Sequence, residues 1–389
     1  MSDARPDSGQ SMDARGASCA DPLHRPPTIR ERERTDADTG PSIFLRRLEL
    51  AGVQPPEALI CTPTYLDRHR ARQRRGRFLV ARVGGVWGHT LSGPNLHGLL
   101  RKRYPSLTAL GAVWRRLPRC PGPPSLALTR LLNRHKAWLI RAADAVVFQS
   151  ALSQEMHGAF LRHAPVRVPC TVIPNAVDLA EFHPGAGPRL TGSPALIVSS
   201  AVLRLHKRPH DAIRLVNHLV RRHPGIRLHV LGDWDPLVFD LLAHLDTSRC
   251  VFHQRVTPGD LPRLYAGADL MLALGIFDAC PNVVCEGLAS GLPVVTPVES
   301  GAAELIGEPN RHWTVREHLR VEEYRSWFVA SEIPALPVEA YAAVVETVLD
   351  DLPAEKARAR ARAEAALDIR VTAARYAGFI EDALAASRR

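Results

Sequence analysis

The chain predicts an α/β protein long enough for two domains, the second a doubly wound parallel sheet, on three observations. Its 389 residues, 46% of them hydrophobic, can fill two sizeable cores. From residue 195 onward, short apolar strands alternate with helical segments, the pattern of a parallel sheet covered by helices on both faces. The longest apolar runs, such as LMLALGIF at 270–277, fall well short of the roughly 18 to 20 residues that span a bilayer, so no transmembrane helix is expected.

Taken in order, residues 1–38 are rich in Asp, Arg, Pro and Ser and lack the apolar core of a secretory signal, which predicts a disordered tail. A first domain is expected over 39–185. TGPSIFLRRLELAG (39–52) suits a helix opened by a tight turn that contains Gly40 and Ser42. EALIC and RFLVARV read as short buried strands, residues 125–143 as a helix, DAVVFQS as a strand, and TVIPNAVD as a strand and turn. A second domain is expected over 190–350. There ALIVSSAVL, IRLHVLGD, CVFHQ, DLMLALG and LPVVTP read as strands, with helices about 211–222, 236–245, 258–266 and 281–290 between them. C-terminal helices follow over 353–389, and no internal repeat is visible.

Charge is distributed unevenly. Between Arg68 and Arg141 there are 17 Lys and Arg and no acid, leaving 33 basic against 40 acidic residues elsewhere, so one segment carries the net +10. Such a field attracts an anionic membrane surface, and an Arg-rich solvated face accounts for it equally well. No zinc-finger or aromatic RNA-binding pattern accompanies it, so no nucleic-acid partner is expected. Seven scattered cysteines without a C-x-x-C pair point to a reduced, cytoplasmic protein, peripheral on the inner face of the membrane if the basic segment docks there. They offer no metal site.

The stretch 278–293 carries the chemistry. Pro281 suits a first helical position, and Gly291 with Pro293 marks the helix end. The amides of Asn282, Val283 and Val284 then lie unpaired in the first turn, where free N–H groups and the helix dipole favour a diphosphate. Glu286, one turn on, can reach a ribose hydroxyl. Asp278 falls in the loop at the carboxyl end of a strand, the edge where open α/β sheets bind ligands. A plain capped helix, with Asp278 as a loop or N-cap residue, is the alternative that these residues leave open.

The segment D-A-C-P-N-V-V-C-E-G-L-A-S-G-L-P-V-V resembles the pattern E-G-x-P-N-V-V-x-E-A-x-A-x-G-x-P-V-V of family 4 glycosyltransferases, which have the GT-B fold. DAVVFQSALS, TVIPNAVDLAEF, AVLRLHKRPHDAI, LHVLGD, DLPRLYAGADLMLAL and SGAAELI correspond in the same order. The resemblance implies two Rossmann-like domains facing across a cleft. It also implies metal-independent, cofactor-free transfer of a sugar from a nucleoside-diphosphate-sugar, with retention, to a glycan or lipid-linked acceptor. On it, Lys207 neutralises the departing diphosphate and Asp278 touches the transferred sugar, so these two are the expected catalytic residues. Arg204, Pro281, Asn282, Val283, Val284 and Glu286 form the expected donor site, with Gly40, Ser42 and His89 on the acceptor side.

Several positions depart from the pattern. Val202 stands where the family has an Arg, and Arg204 is the candidate substitute. Asp278 replaces the first Glu, shortening its reach by about 1.5 Å. Gly84 stands where an acidic group or His is usual, leaving His89 as the nearest titratable group, ahead of His97 and His135. No strand is evident before residue 39, so the first sheet is expected to lack one. A GT-B scaffold that holds a nucleotide-sugar without transferring it is the second functional expectation.

Overall fold

A computed structural model of the chain describes residues 40–52, 58–61, 77–85, 133–134, 136–254, 256–324 and 334–388. The tail, the preceding-strand question, His89, His97, His135 and most of the basic segment lie outside the described residues.

The first sheet has the order β1 (Ala58–Cys61), β2 (Phe78–Val83), β3 (Ala145–Phe148) and β4 (Cys170–Val172), all parallel. Strands β2 and β3 are buried throughout, as expected for a parallel sheet covered on both faces. Helix α1 (Gly40–Leu50) packs Phe44 and Leu48 against it. After β3, Ser150 caps α2 (Ala151–Phe160) by accepting a hydrogen bond from the Ser153 amide at 2.9 Å.

The second sheet is also parallel, in the order β10, β9, β8, β5, β6, β7. Its strands are β5 (Ala195–Leu203), β6 (Arg227–Trp234), β7 (Cys250–Gln254), β8 (Leu270–Leu272), β9 (Val294–Pro297) and β10 (Thr314–Val315). Helices α3 (Pro209–Leu219), α4 (Pro236–Leu242), α5 (Leu261–Gly267), α6 (Asn282–Ala289) and α7 (Gly301–Ile306) connect them. Helix α3 shows why such segments form. Pro209 opens it, Asp211 sits in its first turn, and Ala212, Ile213, Leu215, Val216 and Leu219 bury one face.

Three helices close the chain: α8 (Val338–Asp350), α9 (Leu352–Ala366) and α10 (Ile369–Ser387). Helix α9 lies on α6, and its Arg360 donates to the Ala289 carbonyl at the end of that helix at 2.7 Å. Helix α10 returns to the first sheet, where Ile369, Ala373, Tyr376, Ile380 and Ala383 join Phe44, Val80 and Val147 in one core. The chain therefore crosses between the halves twice, and the crossings are paired: the Val177 amide donates to Leu367 O, and the Ile369 amide to Val177 O, both at 3.0 Å.

Candidate functional site

In the second sheet β5 and β8 are neighbours, yet β5 continues to β6 on one side and β8 to β9 on the other. The order in which strands are added to the sheet reverses between these two parallel strands, so their C-terminal loops open a crevice at the centre of the sheet. Out of β5 comes the turn Leu205–Lys207, and out of β8 comes the loop that carries Asp278. This topology brings together two residues 71 positions apart: Lys207 Nζ donates to Asp278 Oδ2. A small pocket beside them is lined by Ser199, Ser200, Lys207, Asp278, Pro281 and Val283.

Electrostatics follow from the pairing. Burial acts to raise the Asp278 pKa, but the Lys207 charge and hydrogen bond, helped by His206 and Arg204, win and hold the carboxyl below its usual value. His206 is pushed down to about 3 by burial and by the flanking Lys207 and Arg204 charges, so its imidazole is neutral at ordinary pH. Arg204 heads the same turn as Lys207 and is half-buried, with its Nε without a hydrogen-bond partner.

Helix α6 starts at Asn282, with Pro281 as its extended N-cap and no side chain capping it. Of the three first-turn amides expected to lie unpaired, that of Val284 does not, because the turn at Pro281 lets it donate to Pro281 O at 3.1 Å. Gly291 follows the helix at φ +77°, a left-handed conformation that ends it at little cost. Ahead of the helix, the Asp278 loop packs on α7. Gly301 N donates to Asp278 O at 2.8 Å, and any Cβ on Gly301 would collide with the Ala279 carbonyl.

Glu286 is 5% exposed, and its Oε1 accepts from Arg47 of α1 at 2.8 Å. Gly40 and Ser42 lie in the first turn of α1. Gly84 ends β2, and a Cβ there would stand 3.0 Å from the Gln149 side chain, so Gln149 fills the space where the resembled family has a larger group.

Other residues at the site had no role assigned from the sequence. Asn175 follows β4 and donates from Nδ2 to Cys280 O at 2.7 Å and to Asn282 Oδ1 at 2.6 Å, while Arg82 donates to its Oδ1. Its backbone N–H donates to Cys280 Sγ at 3.2 Å, and burial pushes that thiol up to about 12, so Cys280 is a packing group rather than a nucleophile. Glu304 of α7 accepts from the amides of Ala151 and Leu152 at 2.7 and 2.8 Å, capping α2 from the other half. Lys136, lowered to about 8 by burial, donates to Gly85 O, next to the Asp278 loop. Asn175, Cys280 and Glu304 stood in segments that the sequence singled out, TVIPNAVD, the 278–293 stretch and SGAAELI, but with no role assigned there; their contacts, like those of Arg82 and Lys136, are long-range.

Residues 187–325 match the family described as glycosyl transferases group 1. Over that segment the chain is similar to the group 1 glycosyl transferases. The glycogen synthase of Mycobacterium tuberculosis is 30% identical over 245 residues, 60% of this chain and 52% of the relative. The spore coat protein SA of Bacillus subtilis is 26% identical over 128 residues, 30% of this chain and 34% of the relative. The chain thus spans about half the length of the glycogen synthase and a third of the spore coat protein.

Among solved structures, the sucrose-phosphate synthase of Thermosynechococcus elongatus superposes with a TM-score of 0.56 at 14% identity, covering 89% of this chain and 78% of that one. Anabaena Alr3699/HepE, solved with UDP and glucose, gives 0.53 at 18% identity, covering 87% and 81%. The chain has the GT-B fold of these structures, as its motifs implied.

Proposed function

We propose that the chain is a retaining glycosyltransferase of the family 4 type, moving a sugar from a nucleoside-diphosphate-sugar to a glycan or lipid-linked acceptor. The observation that carries the reading is the meeting of Lys207 and Asp278 at the sheet's switch point, beside an uncapped helix start. The diphosphate lies at the first-turn amides of α6, and Lys207 leaves Asp278 to neutralise it. As the bond from the anomeric carbon to the phosphate oxygen breaks, negative charge grows on the diphosphate, where Lys207 and the amides stabilise it. Asp278, freed of its partner, faces the positive charge developing on the sugar. The acceptor oxygen bonds to the anomeric carbon on the face that the diphosphate leaves, and the departing diphosphate takes the acceptor's proton. Glu286 accepts from a ribose hydroxyl.

Metal independence is part of this proposal and predicts activity undiminished in EDTA. The test is incubation with UDP-, GDP- and ADP-sugars, following donor hydrolysis and then transfer, with the anomeric configuration of the product read by NMR. An inverted product removes the retaining mechanism. Tight donor binding without turnover on any acceptor selects the scaffold reading. The anionic membrane partner rests on charge alone and predicts salt-sensitive sedimentation with anionic liposomes.

A further inference from the structure

We propose that Arg47, on the first-sheet half, is a positioning residue for nucleoside recognition: it fixes Glu286 Oε1 so that Oε2 is presented to the ribose. The proposal rests on the donor reading above and extends it to a residue that touches no donor atom.

Arg47 sits in the last turn of α1, with its side chain 13% exposed against 7% for Glu286. One guanidinium nitrogen donates to Glu286 Oε1 at 2.8 Å, and the other to the Ala176 carbonyl at 3.3 Å. The guanidinium carbon lies 5.7 Å from the centre of the Phe182 ring. A planar fork held on two sides and against a ring cannot swing, which is the property that separates Arg from Lys. Glu286 Oε2, by contrast, accepts no hydrogen bond among the described residues. A buried carboxylate with one oxygen clamped and one open is a pre-oriented acceptor. Glu181 shares the same field. Burial raises its pKa above the usual value, and the nearby Arg47 charge opposes that rise.

The arrangement ties donor affinity to the docking of α1. Ala176 and Phe182 lie beside the first crossing between the halves, so the grip on Glu286 exists only when α1 is seated there. Without Arg47, the carboxylate loses the contact that fixes Oε1 and can turn, which removes an oriented acceptor from the ribose.

The test uses calorimetry on the full chain with UDP, GDP and ADP, then with the 2′-deoxy and 3′-deoxy analogues of whichever binds. The wild type is expected to favour the ribonucleotide over at least one analogue by about tenfold or more, the mark of a buried acceptor left unpaired. Arg47→Ala is expected to weaken the ribonucleotide and leave the analogue nearly unchanged, so the preference falls below about threefold. Arg47→Lys should give an intermediate preference. A folded Arg47→Ala protein that keeps the full preference overturns the proposal. If that variant does not fold, Arg47→Lys decides, and an unchanged preference overturns it equally. Wild-type binding with no preference overturns it while the donor reading stands. Failure of all three diphosphates to bind the wild type removes the donor reading itself.

Discussion

The two halves contribute to the site in different ways. The second-sheet half brings Lys207, Asp278 and the α6 start together within one sheet, through loops that leave adjacent strands. The first-sheet half supplies holders: Arg47 on Glu286, Asn175 on Cys280 and Asn282, and the start of α2, which receives Glu304. Chemistry sits on one side and alignment on the other. Substitutions on the two sides should therefore separate, with the first kind lowering turnover at saturating donor and the second chiefly raising the donor KM.

The largest expected effect is that of Lys207→Ala. On the proposed function its charge stabilises the leaving diphosphate, and removing it should lower kcat on the order of a hundred- to a thousandfold, measured as donor hydrolysis or transfer. A loss confined to KM would break the division of labour. Next is Gly301→Ala, whose methyl group must displace the Ala279 carbonyl and with it the Asp278 loop. It should cost about 1–3 kcal/mol of stability in denaturant unfolding, together with a fall in kcat. Asn175→Ala removes the bridge to Cys280 and Asn282 and should cost about 1–2 kcal/mol, with donor KM raised more than kcat is lowered. If kcat falls more than KM rises, the first-sheet half does more than align.

The smallest effect is on acid stability. With its folded pKa near 3 against an ordinary 6.5, His206 takes up a proton in the unfolded chain before it does so in the folded one, so stability falls as pH drops from 6.5 toward 3. Asp278 behaves oppositely. Its depressed pKa keeps its contribution intact above the usual carboxylate range and loses it only below. His206→Asn should therefore give a shallower decline between pH 6 and 4, with His253, lowered to about 4, still contributing to the slope. An unchanged slope would place His206 in contact with water.

The same contrast explains what could be read in the sequence. Strands ALIVSSAVL, CVFHQ and IRLHVLGD match β5, β7 and the greater part of β6, because short apolar runs between helices leave little choice of register. Helix α6 ends at the position that Gly291 marks, and it starts one residue after Pro281, which serves as N-cap rather than first helical residue. The Lys207 and Asp278 pair was legible only as two members of a motif set. Their contact depends on strand order, which no local pattern encodes. Arg47, Asn175, Arg82 and Glu304 act on partners 93 to 294 residues away, and no local spacing announces those contacts.

Helix α10 completes the core of the first sheet with residues synthesised after the strands of both sheets. On the ribosome, β1 to β4 therefore emerge long before Tyr376 and Ile380 exist to cover Phe44, Val80 and Val147. The second sheet has its strands in hand by residue 315 and can settle first, although domains usually fold in the order they are made. Until translation reaches α10, the nascent first half carries an uncovered apolar face, and it is there that a chaperone would find the chain.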